Sequence, residues 1–442
     1  MSSGLSIAAL QQRLHKLLND RFLRNIGWLS GAQLANRILR LCATIIVARL
    51  LLPEDYGLAA LVLASHEFIQ MFCRQGTGPR LVQARDDELP QLAQTAYWLN
   101  WIQCGGLFLL QCLIALPVSW AYGKPELALP LIVMGLSYLM LPPALVHTAL
   151  NIRAQRLHVV AAAETLQTLA DMLLTLVLVL SGWGFWALIL PKVLVVPVWA
   201  FINRRAQDWR PGSFTLQHWR AIVGFSLQLT GVEILATLRN NLDYLLVGYF
   251  LGVEALGVYF FAFNAGLGIS LGLISACSNA LFPHLCDANH DAAELRQRFT
   301  RGLRTIALIA VPLVLLQASA APFYLPLVFG QHWVDANALP ILILICLSAL
   351  PRPFAEAASQ LLRALGQPRL DLFANAAFTV LLTIALLIGV QWGSIGVAAA
   401  VLLTHWLIQP LFTLWVWRHF LNNPDLHPSS VTPLTAKGVA HA

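Results

Sequence analysis

Charge is what this sequence has least of. Asp, Glu, Lys and Arg together make up 11% of its 442 residues, hydrophobic residues 58%, and the mean hydropathy is +0.68. Soluble domains carry roughly 25% charged residues, so a water-soluble enzyme is excluded. Long polar stretches are missing too. The widest gaps between hydrophobic runs, about 204–220 and 284–304, hold at most a short interfacial helix and no separate catalytic domain. There is no GxxxxGK[ST] phosphate loop, no HExxH, no CxxC and no nucleophile elbow. Hydrolysis-driven transport, zinc hydrolysis and thiol redox chemistry therefore have no sequence support, and no cofactor or metal is expected. Cysteine is sparse and unpaired in spacing: Cys42, Cys73, Cys104, Cys112, Cys277 and Cys346 fall within apolar runs and Cys286 beside one, as small packing residues.

What is present is apolar length. A helix needs roughly 20 apolar residues to cross a bilayer. About twelve such runs can be read, near 26–52, 57–83, 93–121, 127–151, 159–181, 183–203, 221–250, 255–283, 305–329, 338–362, 371–391 and 394–417. Backbone polar groups must be satisfied within lipid, so these are helices. The expected class is an all-α polytopic membrane protein.

The runs repeat. Val47-Ala-Arg-Leu-Leu-Leu-Pro-Glu-Asp-Tyr-Gly57 aligns with Val247-Gly-Tyr-Phe-Leu-Gly-Val-Glu-Ala-Leu-Gly257, offset by 200 residues, and Gly31 aligns with Gly231. The expected organisation is an amphipathic cytoplasmic segment 1–24, a six-helix bundle 25–203, a linker 204–220, a second six-helix bundle 221–418 and a tail 419–442. Internal repeats around a midplane site are the construction of alternating-access transporters. Cationic residues gather in one set of loops, including Arg21, Arg24, Arg153, Arg156, Arg204, Arg205, Arg301 and Arg304. The opposite loops carry Lys124 beside Glu54, Glu126 and Glu254. Both termini are therefore expected in the cytoplasm. The net charge of +7 reflects this bias and not nucleic-acid binding.

Polar residues inside the runs are the candidate site. Ser30, Gln33, Arg37 and Arg40 share one helix face, with Asn36 on its border; Thr230, Glu233, Thr237 and Asn240 repeat the spacing in the second half. Arginines at membrane depth are costly unless they face water or a partner. A cavity-lining role competes here with pairing of Arg37 or Arg40 to Glu67. Glu67, Gln70 and Arg74 are likewise i, i+3, i+7. Arg239 with Asp243, and Arg352 with Glu356, are i, i+4 neighbours spaced for salt bridges. Glu67, Arg239 and Asp243 are thus candidates for ion coupling or structural pairing. Lys192 has no evident partner in sequence, and Asp171 is a further charge within a run. His147 and His405 read as helix-interface residues.

Leu51-Leu-Pro-Glu-Asp-Tyr-Gly57, Leu242-Asp-Tyr-Leu-Leu-Val-Gly248 and Phe329-Gly-Gln-His-Trp333 together resemble motifs of the Wzx-type oligosaccharide flippases. That polysaccharide transporter family shares a superfamily with the MATE exporters and the lipid II flippases. The resemblance spans about residues 20–418. It implies a multi-pass protein of the bacterial cell inner membrane that flips polyprenyl-diphosphate-linked oligosaccharide outward for exopolysaccharide or O-antigen (lipopolysaccharide) assembly. Its implied partners are that lipid-linked substrate, membrane lipids, and the polysaccharide polymerase and chain-length machinery. Arginine's planar fork suits phosphate oxygens, so Arg37, Arg40, Arg74 and Lys192 are the diphosphate candidates. Gln33, Asn36, Gln70, Glu233, Thr237 and Asn240 are the candidates for sugar hydroxyls. Two alternatives stand beside this reading. A MATE-like exporter of cationic drugs favours acidic cavity residues, and an enzyme polymerising or ligating lipid-linked sugars needs a sizeable outer loop.

Overall fold

The computed structural model describes residues 43–74, 77–267, 281, 282, 284–288 and 291–421. Among these the chain is helical and contains no strand. Packing divides it into two units, 1–237 and 238–442.

The described part of the first unit comprises α1 (43–50), α2 (Pro53–Arg74), α3 (Gly78–Gln83), α4 (Leu89–Ala121), α5 (Ala128–Met140), α6 (Pro142–Arg153), α7 (Leu157–Leu180), α8 (Trp186–Leu194), α9 (Val196–Arg205) and the start of α10 (Trp219–Leu251). The second unit holds the rest of α10, then α11 (Val253–Leu267), α12 (Ala292–Tyr324), α13 (Gln331–Asp335), α14 (Ala338–Ser348), α15 (Arg352–Ala364), α16 (Pro368–Gly389) and α17 (Gly393–Val416).

Seven helical stretches of the described residues are long and apolar enough to span a membrane. The count is eight if Pro125–Met140 and Pro142–Arg153, bent by 52°, form one span. The last of the seven, Pro368–Leu421, contains a turn at Val390–Trp392, so α16 and α17 pack against each other as a pair. Gly389 and Gly396 face one another in that pair. A Cβ on Gly396 would come within 2.3 Å of the Gly389 carbonyl oxygen, so the crossing tolerates only glycine. The expected first span lies mostly outside the described residues, and the expected eighth is described to Leu267 and again at 281 and 282.

Many large apolar side chains face outward, Leu113, Leu308 and Phe323 among them. In lipid such faces are already solvated, so cohesion depends on close packing and hydrogen bonds. Leu81, Leu92, Val146 and Ile222 form one packed cluster of the first unit; Leu285, Phe299, Ile306, Leu361 and Val416 form one of the second.

The motif turns are fixed by particular contacts. Glu54 accepts from Lys124 Nζ at 2.8 Å, a bond that holds the ammonium above its ordinary pKa. Asp55 Oδ1 accepts from the Phe185 amide at 3.0 Å, where α8 is about to begin. The Pro-Glu-Asp-Tyr turn thus ties α2 to two later turns. In the second unit Gly330 has φ +114°, a conformation side chains rarely adopt. That turn seats Trp333, fully buried, on the ring of Phe261 at 3.7 Å between centroids.

The linker is not a loose tether. Gln94 of α4 uses both ends of its amide on it, donating to Ser213 O at 2.7 Å and accepting from Gly212 N at 2.9 Å. Trp98 Nε1 also donates to Ser213 O, and His147 Nε2 lies 3.1 Å from Trp209 O. His147 is therefore an interface residue, as its sequence setting implied.

Candidate functional site

The second unit holds a half-open cavity of about 830 Å³, inside the roughly 300–1,000 Å³ range of ligand pockets. Helical spacing builds it. On α10 it takes Arg239, Asn240 and Asp243; on α15, Arg352, Glu356 and Ser359, which lie at i, i+4, i+7. Asn375, Phe378 and Leu382 of α16 lie at i, i+3, i+7. Val401, His405, Gln409 and Phe412 of α17 continue one face down to Trp415, while Phe263 is contributed by α11.

A polar chain leads from the lining into the helices behind it. The Arg239 guanidinium donates to Asn375 Oδ1. Asn375 Nδ2 donates to Asp371 Oδ1 at 2.8 Å, and Arg363 Nε donates to Asp371 Oδ2 at 2.8 Å. Asp243 is held elsewhere: Tyr259 OH donates to its Oδ2 at 2.9 Å, and the Tyr244 amide to its Oδ1 at 3.0 Å. The i, i+4 pair Arg239–Asp243 expected from spacing is thus not formed. Each side chain finds a better partner on a neighbouring helix. The same correction applies to Arg352 and Glu356. Glu356 Oε1 accepts from Gln360 Nε2 at 3.1 Å, and Arg352 reaches back to Ser348 Oγ at 3.4 Å. His405 Nδ1 lies 2.8 Å from Val401 O.

The remaining candidates are scattered. Arg37, Arg40, Gln33 and Asn36 lie outside the described residues, as does the side chain of Arg74. Glu67 and Gln70 are half-buried on α2 in the first unit. On α10, Glu233 is half-buried and Thr237 buried in the first unit, while Asn240 is exposed into the second unit's cavity. Lys192 has a partner after all: its Nζ donates to Asp171 Oδ2 at 2.5 Å, across from α8 to α7. Sequence reasoning passed over Asn375 and Gln409. Their signal was present, since each is an amide in the middle of a mainly apolar run.

The pattern of the family described as Polysaccharide biosynthesis protein matches residues 46–338. The chain is 26% identical over 413 residues to "Lipopolysaccharide biosynthesis protein WzxC" of Escherichia coli (strain K12), covering 90% of this chain and 81% of the relative. It is 23% identical over 356 residues to "Teichuronic acid biosynthesis protein TuaB" of Bacillus subtilis (strain 168), covering 79% and 72% respectively. Among solved structures it matches the lipid II flippase MurJ in an inward closed conformation, with TM-score 0.75 and 13% identity over 88% of this chain and 86% of that one. That likeness shows a shared fold. With the family pattern covering well over half its length, this multi-pass membrane protein belongs to the polysaccharide biosynthesis protein family.

Proposed function

We propose that the protein is an alternating-access flippase that moves polyprenyl-diphosphate-linked oligosaccharide from the inner to the outer leaflet of the bacterial cytoplasmic membrane. The observation that carries the reading is the second unit's cavity: a largely apolar chamber into which two guanidiniums, two carboxylates and three amides are set, among helices long and apolar enough to span a membrane. Such a chamber is costly in a membrane unless it serves a polar cargo. The family match and the polysaccharide names of WzxC and TuaB support a saccharide as that cargo.

In this reading residues 25–203 and 221–418 are two bundles of six spans, both termini face the cytoplasm, and the lipid tail stays in the bilayer. A diphosphate carries about two negative charges. Its outward passage gains about 2.3 kcal/mol per charge per 100 mV of membrane potential. Arg37 and Arg40, with Arg74 and Lys192, are the proposed diphosphate donors. Lys192 is held by Asp171, so it serves a phosphate only by exchanging that partner. Gln33, Asn36, Gln70, Glu233, Thr237 and Asn240 are proposed to meet sugar hydroxyls. A polysaccharide polymerase and its chain-length machinery receive the product on the outer side.

The test is complementation of a deletion strain. Wild-type protein should restore surface polysaccharide, while Arg37→Gln and Arg40→Gln chains, inserted at normal levels, should leave the lipid-linked oligosaccharide on the inner leaflet. Arg→Lys at either position should restore only part, because charge returns without the bidentate fork. Normal export by the glutamine variants would remove these arginines from the site.

A further inference from the structure

Trp186–Arg205 is long and apolar enough to span a membrane, so the arginines at its end stand at a membrane face. The chain then crosses α4. Gln91, Gln94 and Trp98 lie at i, i+3, i+7 on that helix. Gln91 Oε1 lies 3.0 Å from His218 Nε2, Gln94 binds the Gly212 amide and the Ser213 carbonyl, and the Trp98 ring meets that of Phe214 at 5.4 Å. Segment 206–218 is therefore laid on the first unit as a fixed surface.

Its charge is one-sided. Residues 204–220 carry Arg204, Arg205, Arg210 and Arg220 against one carboxylate, Asp208. All four arginines are exposed, and none forms an ion pair or a side-chain hydrogen bond with a described residue. The acidic stretch before α4 is already taken. Asp86 pairs with Arg153 at 2.5 Å, Asp87 with Arg85 at 3.6 Å and Glu88 with Arg80 at 3.3 Å.

Apolar surface lies beside the free cations. Phe201, Phe214 and Trp219 are 61%, 62% and 45% exposed. The Arg205 guanidinium sits 5.8 Å from the Phe201 ring centre, and that of Arg220 5.6 Å from the Trp219 ring centre. A ring at the acyl boundary with a guanidinium at headgroup level is the arrangement of an interfacial anchor. A free phosphate would meet the charges and leave the rings in water. A phospholipid satisfies both, with its phosphate on the guanidiniums and its acyl chains on the rings.

We infer that residues 201–220 form a docking surface for anionic phospholipids, whose headgroups supply the counter-charge that the protein withholds. Lipid then fixes the segment from its outer side as α4 fixes it from the inner.

Photocrosslinking tests this on the full-length protein in nanodiscs of equal parts phosphatidylglycerol and phosphatidylcholine, with benzoylphenylalanine in place of Phe214. Adducts there should favour phosphatidylglycerol about fivefold, the share of a single arginine at a charged membrane surface. Added sodium chloride should draw the two lipids toward equal capture. Equal capture is also expected when Arg204→Gln, Arg205→Gln, Arg210→Gln and Arg220→Gln are combined. Lysine at all four positions should keep most of the preference, because the charge remains. The surface is overturned if no lipid adduct forms, if the preference is missing or ignores salt, or if the glutamine protein keeps it. Should that protein fail to insert, the salt titration with the four arginines intact decides. Irradiation in whole cells should again yield lipid adducts; capture of a protein instead would give the face to a protein partner and overturn the lipid assignment.

Discussion

Lys192 and Asp171 meet at 2.5 Å, with 43% and 20% of their side chains exposed. Asp171 Oδ1 is buried with no partner of its own, so the lysine is its main compensation. Stranding a fully buried charge costs about 3–5 kcal/mol. Exposure of the lysine reduces that here, and Lys192→Gln should lower stability by roughly 1–2 kcal/mol in a thermal melt. Adding Asp171→Asn should recover most of the loss, because no charge is then stranded. The stable double variant also tests the phosphate role. It should export poorly if Lys192 touches the cargo, and normal export would assign the pair to structure alone. Trp333 illustrates the purely structural case. Stacked on Phe261 and fully buried, it accounts for the motif around Gly330 without any ligand.

Helices here are held by close approach more than by apolar burial. The α16–α17 pair depends on Gly389 and Gly396, where an added methyl would meet backbone at 2.7 Å and 2.3 Å respectively. Backbone cannot yield as a side-chain tip can, so Gly396→Ala should part the helices that supply the Asn375 and Gln409 walls of the cavity. The expected result is a sharp drop in monodisperse protein on fluorescence size-exclusion chromatography; an unchanged peak would mean that the turn relaxes around the methyl. Pro410, next to Gln409, has no N–H to offer the carbonyl one turn back.

At the scale of the molecule, the segment that leads into α10 is bound within the first unit. Gln94, Trp98 and His147 bind residues 209–213, and α10 then runs unbroken from Trp219 to Leu251 through the division at 237/238. Reporter tags at the two termini test the proposed topology. An even number of spans and the arginine-rich loops call for a cytoplasmic signal from both; a periplasmic signal from a tag after residue 421 would mean an odd number of spans.

Composition alone determined that the chain is helical and lives in a membrane, because roughly 20-residue apolar runs have no other stable form in lipid. The turn motifs were legible for a similar reason. Gly330 at positive φ is a local demand of the backbone, whereas the Glu54–Lys124 tie joins residues 70 apart and came only with the tertiary fold. Partners of the intramembrane charges were not legible. Spacing of i, i+4 permits a bond within one helix, yet Arg239 chose Asn375, 136 residues away, and Asp243 chose Tyr259 on the next helix. Lys192 looked unpartnered only because Asp171 lies 21 residues earlier on another helix. The cavity, which gathers residues from α10, α11, α15, α16 and α17, arose only from tertiary packing. Helix crossing decides which polar groups meet each other and which are left without a partner, and no periodicity along one chain segment encodes that.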